Sequence, residues 1–179
     1  MIVTLTGDLG SGKSTVAKLL AEKLKYKYYS TGSIFRKIAQ DLKMTLAEFT
    51  AKSELDSKYD KMIDDYQVKL GKSEDNFVLE GRLGFYFIPK SIKVCLRVTI
   101  EEAAHRIMTD NRSDEKYTTI EDAIKHIKER RTSEKMRYRK LYNIDLEDNK
   151  QFDLVVDTNP IPADKVTEKV VDYIKKTKK

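Results

Sequence analysis

The segment Gly7-Asp-Leu-Gly-Ser-Gly-Lys-Ser14 constrains this chain more than any other. It fits the pattern G-x-x-x-x-G-K-[ST], and each fixed position has a physical task. The glycines let the backbone curl until successive N–H groups point inward at one phosphate. Lys13 can reach the β- and γ-phosphates, and the Ser14 hydroxyl can ligate Mg²⁺. Before the loop, Ile2–Thr6 is a β-branched run that reads as a short buried strand; after it, Val16, Leu19, Leu20 and Leu24 recur at helical spacing. Strand, glycine loop and helix in that order put the positive end of the helix dipole against the phosphate. The expectation is a nucleoside triphosphate site built from Gly7, Asp8, Leu9, Gly10, Ser11, Gly12, Lys13, Ser14 and Thr15. Three of the chain's seven glycines fall in this loop, which argues against a plain glycine-rich turn.

The remainder alternates between strand and helix signals. Lys27–Ser30, Asn76–Glu80, Ile92–Val98 and Phe152–Asp157 read as further strands, and Ser33–Leu42 and Glu101–Met108 as helices. Thr45-Leu-Ala-Glu48 has the form of a capping box, and Thr119-Ile-Glu-Asp122 caps a long helix running toward Leu141. Leu55, Tyr59, Met62, Ile63, Tyr66 and Leu70 trace an amphipathic helix that Gly71 is expected to stop. Pro160 and Pro162 break the chain before a last helix carrying Val166, Val170, Val171 and Ile174, beyond which the lysine-rich end frays. This order predicts an α/β fold, a five-stranded parallel sheet with helices on both faces. The chain reads as one domain, with a core over 1–32 and 72–179. The helical stretch of about 33–71 exceeds what one crossover needs and should project as a small subdomain. The polar stretch at about 109–119 reads as a short lid.

Composition narrows the partners without choosing among them. With 179 residues, 40% of them apolar, the chain can bury a core and is not a disordered polymer. Its net charge of +6 invites anionic partners. A single cysteine, Cys95 in an apolar run, rules out an intrachain disulfide framework and reads as a buried thiol in a reducing compartment. No segment is apolar for long enough to span a bilayer, so the expected location is the cytoplasm. His105 and His126 lack companions at metal-ligand spacing and read as helix-surface residues.

The arginines discriminate among phosphate-loop proteins, because a kinase must also hold a second, anionic substrate. In Ser30-Thr-Gly-Ser-Ile-Phe-Arg36 a glycine turn opens a helix, and Arg36 lies one turn in, facing back toward the loop. Glu80-Gly-Arg82 ends a strand at the carboxyl edge of the sheet, where ligands of open α/β sheets bind. Arg130, Glu134 and Arg137 stand at i, i+4 and i+7 on the long helix, so one carboxylate can orient two guanidinium forks. Taken singly, each is equally an ordinary surface charge pair; beside a phosphate loop they read together as a clamp. Arg131 and Arg139 stay unassigned, and Lys128, Lys135 and Lys140 read as solvated surface.

The blocks GDLGSGKST, STGSIFR, VLEGRL, IKERRTSEKMRYRKLYNID and FDLVVDT, in this order and spacing, resemble the cytidylate kinases, specifically their compact type-2 branch. The resemblance implies Mg²⁺-assisted, in-line transfer from ATP to CMP or dCMP, giving CDP or dCDP with release of ADP. It implies catalytic roles for Lys13, Arg82, Arg130 and Arg137, and acceptor contacts from Ser30, Gly32, Arg36, Gln67, Gly81 and Glu134. Arg106 and Arg112 would reach the ATP phosphates, and Ser14 and Glu80 would serve the metal. The sequence departs from the family at Ser33, where members often carry an acid. It also has Leu83 where larger members have an aspartate, and Tyr66-Gln67 in place of an Arg-Gln pair. These departures leave the base open. Adenylate kinases share the Thr-Gly…Arg element, so AMP, UMP or another small acceptor is the second reading. A regulatory or nucleic-acid-binding module is the third. Its arginines alternate with carboxylates and no recognition helix appears, so a monomeric enzyme acting on small nucleotides, without nucleic acid, is expected.

Overall fold

A computed structural model describes residues 1–45, 48–49, 51–52, 56–109, 117–159 and 161–177. Its strands are β1 (Ile2–Gly7), β2 (Lys27–Ser30), β3 (Phe77–Glu80), β4 (Ile92–Arg97) and β5 (Leu154–Asp157). They form one sheet in the order β2-β3-β1-β4-β5, and every neighbouring pair is parallel. The helices are α1 (Lys13–Leu24), α2 (Thr31–Asp41), α3 (Lys58–Ser73), α4 (Gly84–Phe87), α5 (Ile100–Thr109), α6 (Ile120–Tyr142) and α7 (Ala163–Thr177). The chain thus adopts the five-stranded parallel α/β architecture that its alternating pattern predicts.

The strand pleat divides the core between the two faces of the sheet. Val3, Leu5, Val78, Val94 and Leu96 lie with Val16 and Leu20 of α1 and Val166, Val170 and Ile174 of α7. Phe77 and Leu79 point the other way, into a cluster with Ile34 and Ile38 of α2 and Tyr59, Ile63 and Leu70 of α3. Each such side chain, fully buried, stabilises by about 1.5–3 kcal/mol. The segment between β2 and β3 has its own aromatic stack. Phe49 meets Phe35 at 4.5 Å and Tyr59 at 5.2 Å, edge to face. The capping box ahead of it forms: Thr45 N–H donates to Glu48 Oε2 (2.8 Å), and Glu48 N–H to Thr45 Oγ1 (3.2 Å). At the other capping site, Asp122 N–H donates to Thr119 Oγ1 at 3.1 Å.

Four sequence expectations change. Gly71 does not stop its helix, because α3 continues to Ser73. A Cβ on Gly71 would sit 2.9 Å from Ile88 Cγ2, so its smallness permits close helix approach. The helix expected from Ser33 begins at Thr31, since Ser30 caps it and Ser33 reciprocates. Strand β5 starts at Leu154 rather than Phe152. A 3-10 turn (Asn149–Gln151) precedes it, and Phe152 packs on Phe85 at 4.8 Å. His126 is half-buried against Tyr117 (5.2 Å), and its buried Nε2 has no hydrogen-bond partner among the described residues, whereas His105 is exposed as expected. Leu46, Leu55, Pro160, Arg112, Lys178, Lys179 and most of the stretch read as a lid (110–116) lie outside the described residues. Among the described residues no helix is long and apolar enough to cross a membrane.

Candidate active site

Chain order reverses at β1: β2 and β3 lie to one side of it and β4 and β5 to the other. In open α/β sheets such a switch point opens a crevice beyond the carboxyl ends of the strands. Register brings Gly7, Glu80 and Leu96 to that edge, since Leu5 pairs with Glu80 and Gly7 with Leu96. Gly7 has φ 152°, and a Cβ there would lie 2.3 Å from the Leu96 carbonyl oxygen, so only glycine fits.

Within the loop, the Asp8 carbonyl accepts from Lys13 Nζ (2.7 Å) and from Ser11 Oγ (2.8 Å). Lys13 as a whole is only partly covered, but its ammonium is enclosed. Burial, helped by the Arg82 guanidinium, lowers its pKa to about 7, against the opposing pull of Glu80, Glu134 and Asp8. Ser14 Oγ donates to Glu80 Oε1 at 2.9 Å, and Tyr28 Oη to Oε2 at 2.8 Å. Burial, then this carboxylate, pushes Tyr28 up to about 12. A hydroxyl and a carboxylate side by side are hard oxygen donors that suit Mg²⁺. No group of three or more His, Cys, Asp or Glu able to hold a metal occurs among the described residues, so an ion here would complete its shell with phosphate and water, as Mg²⁺ does.

On one flank of the loop, Ser11, Gly12, Thr15, Glu102, Arg106, Thr158, Ile161 and Pro162 line a cleft of about 370 Å³. Arg106 stands at its wall, held by Glu102 (2.8 Å) and by the Thr158 carbonyl (2.7 Å). On the other flank stand the arginines. Arg82 donates to the Gly7 carbonyl, and its Nε lies 3.0 Å from Glu134 Oε2. Arg130 Nε meets Glu134 Oε1 at 3.2 Å. Arg36 is exposed, with Nη1 3.7 Å from where a Cβ on Gly32 would be; Gly81 N–H donates to the Leu5 carbonyl (3.1 Å). Gln67, only 2% exposed, has a buried Oε1 without a hydrogen-bond partner among the described residues.

One expected pairing is corrected. Glu134 does not bridge Arg130 and Arg137; it is shared by Arg130 and Arg82, while Arg137 pairs with Asp60 of α3. Helical spacing puts Arg137 on the right face of α6, but a carboxylate from another element competes for it. Nearby, Tyr142 Oη donates to Asp64 Oδ2 at 2.6 Å, a second bridge between α6 and α3. Sequence reasoning also missed Arg97 and Arg131, both bound to Asp8. Arg97 closes a strand at the same sheet edge as Arg82, and the same positional rule would have found it. Asp60 carried no such signal. Arg139 approaches Asp145 (4.0 Å), and Lys135, expected to be merely solvated, pairs with Glu147. Cys95 is fully buried, as expected, and burial pushes its thiol up to about 11.

The cytidylate kinase-like family model matches residues 2–160. A cytidylate kinase of Methanobrevibacter smithii is 35% identical over 98% of this chain and 99% of its own. Another, of Methanocaldococcus jannaschii, is 36% identical over 98% of this chain and all of its own. Among solved structures, shikimate kinase from Bacteroides thetaiotaomicron superposes with a TM-score of 0.68 at 12% identity, covering 98% of both chains, a likeness of fold alone. By these matches the chain belongs to the cytidylate kinase-like family and is a nucleotide kinase.

Proposed function

We propose that this kinase transfers the γ-phosphoryl group of ATP to CMP or dCMP, releasing ADP and CDP or dCDP. The observation that carries the reading is a two-sided one: Lys13 stands between a cleft of nucleoside size and a cluster of arginines organised by Glu134. A cleft of about 300 Å³ or more is large enough for a small organic ligand. ATP lies across the loop with its base in that cleft and Arg106 near its phosphates. The acceptor phosphate takes Arg36, Arg82, Arg130 and Arg137, with Ser30, Gly32 and Gly81 forming the turn beneath it. Cytosine offers an exocyclic amine donor where uracil offers an acceptor. The unpartnered Oε1 of Gln67 suits the amine, and a relative named cytidylate kinase supports the same base.

The chain's own contribution to the chemistry is electrostatic. Charge spreads over the equatorial oxygens during transfer, and Lys13, Arg82 and Arg130 are placed to oppose it. Glu134 keeps two guanidinium groups in one orientation at lower mutual repulsion. No general base is required, because the acceptor phosphate is already an anion. Ser14, and Glu80 through water, would hold Mg²⁺, which would supply neutralisation of phosphate charge when bound. The substrates are free nucleotides, and the protein acts as a cytoplasmic monomer without nucleic acid. ADP release measured with MgATP should require added CMP or dCMP and stop with EDTA. Equal release without any monophosphate would sink the proposal.

A further inference from the structure

Asp8 is an odd residue for a loop that cradles a polyanion. A carboxylate there repels phosphate unless its charge is already committed, and here it is. Its Oδ1 lies 3.0 Å from Arg131 Nη2 and 3.3 Å from Arg97 Nη1, and its Oδ2 accepts from Val98 N–H at 3.2 Å. Its side chain is 13% exposed. Arg97 is itself fixed, donating to the Leu146 carbonyl (2.7 Å) and to Asn149 Oδ1 (2.7 Å). Asp8 therefore joins the end of β4 to α6, while its carbonyl holds Lys13.

The neighbour of Arg131 completes a circuit. Arg130 is bound to Glu134, Glu134 to Arg82, and Arg82 to the carbonyl of Gly7. Consecutive loop residues, Gly7 and Asp8, are thus tied to consecutive helix residues, Arg130 and Arg131, by two separate routes. One route alone lets α6 pivot; two fix its height and rotation over the loop. Between them lies a cavity of about 40 Å³, bordered by Gly7, Asp8, Arg82, Arg130, Arg131 and Glu134.

We propose that Asp8 and Arg131 are positioning residues that lock α6 onto the phosphate loop, setting the distance between the transferring phosphoryl and the acceptor-side arginines. Asp8 lends the triphosphate site only its backbone, its carboxylate being committed to Arg131, Arg97 and Val98 N–H, and Arg131 is assigned no substrate contact; the two side chains act through Arg130, Glu134 and Arg82. The proposal rests on the kinase reading of the site, but not on which base the acceptor carries. Misplacement of about 1 Å at a distant support is enough to slow transfer by about 100-fold.

The test is a double-mutant cycle on the full chain with MgATP and whichever monophosphate the wild type turns over fastest, so a wrong guess of cytidine leaves it intact. Asp8→Asn and Arg131→Gln should each lower kcat about tenfold or more, with the KM for ATP within about threefold of wild type. The double variant should be no worse than either single one. Arg131→Lys, which keeps one cation, should recover most of kcat. Additive losses, an unchanged kcat in variants that melt normally, or a rise in ATP KM in place of the kcat loss would overturn it. Should Asp8→Asn fail to fold, the contrast between Arg131→Gln and Arg131→Lys decides: recovery in the lysine variant is expected, and equal loss in both rejects the lock.

Discussion

The two sides of the proposed transfer site are made of different material. The donor side is backbone: one short stretch from Gly7 to Ser14 curls at a strand end, and its lysine starts the next helix. The acceptor side is side chain, assembled from β3, α2, α3 and α6, with partners such as Arg137 and Asp60 lying 77 residues apart. Backbone N–H groups carry no net charge for a carboxylate to neutralise, although two of the loop's, on Asp8 and Ser11, already donate to the Leu96 (2.9 Å) and Asp8 (3.3 Å) carbonyls. Guanidinium groups do carry one, and without substrate it is neutralised: Arg82 and Arg130 share Glu134, and Arg137 is on Asp60. On the proposed assignment, donor binding displaces no internal carboxylate from the loop's backbone, while acceptor binding must compete with Glu134 and Asp60.

The sharpest way to break this contrast is at its centre. Lys13→Ala should cost about 1000-fold in kcat with MgATP and CMP while thermal melting shows an intact fold. On the acceptor side, Arg82→Ala and Arg137→Ala should cut kcat/KM for the monophosphate by about 100-fold and 10-fold respectively, with ATP affinity nearly unchanged by calorimetry. Parallel losses of ATP affinity would mean that the two sides are not separate.

Smaller effects sharpen the picture. Free Lys13 titrates at about 7, and a bound triphosphate raises that value. Binding of ATP should accordingly take up a proton near neutral pH. Affinity should be flat below about pH 7 and fall above it, by up to about tenfold per pH unit. Calorimetry in two buffers of different ionisation enthalpy reads the proton directly. The smallest expected effect has an unusual sign. Asp60→Asn should lower the acceptor KM by about two- to fivefold, because it frees Arg137 from a half-exposed ion pair. A raised KM would show that Asp60 instead orients Arg137 toward substrate.

The same contrast explains what could be read from the residues alone. The donor loop is a local pattern, and its strand, glycines, lysine and serine stand where the spacing puts them. The parallel sheet followed from strand and helix periodicities of the same local kind. Helical spacing placed Arg130, Glu134 and Arg137 on one face, but it cannot say which carboxylate of a distant helix will meet Arg137. Arg131 illustrates the limit: its neighbours in sequence are ordinary helix charges, and its partner, Asp8, comes from the loop after the first strand, far away in sequence. Gly71 was misjudged for a related reason. Near a helix end a glycine reads as a stop, and only the packing of Ile88 shows that it is a contact.

The central claim is that the acceptor is a cytidine monophosphate, and one assay reaches it most directly: kcat/KM for phosphoryl transfer from MgATP to CMP, dCMP, UMP and AMP. CMP or dCMP should exceed both others by at least about tenfold; against UMP this is the discrimination expected if Gln67 Oε1 accepts from the cytosine amine. A chain that prefers AMP or UMP, or phosphorylates none of the four, would contradict the account.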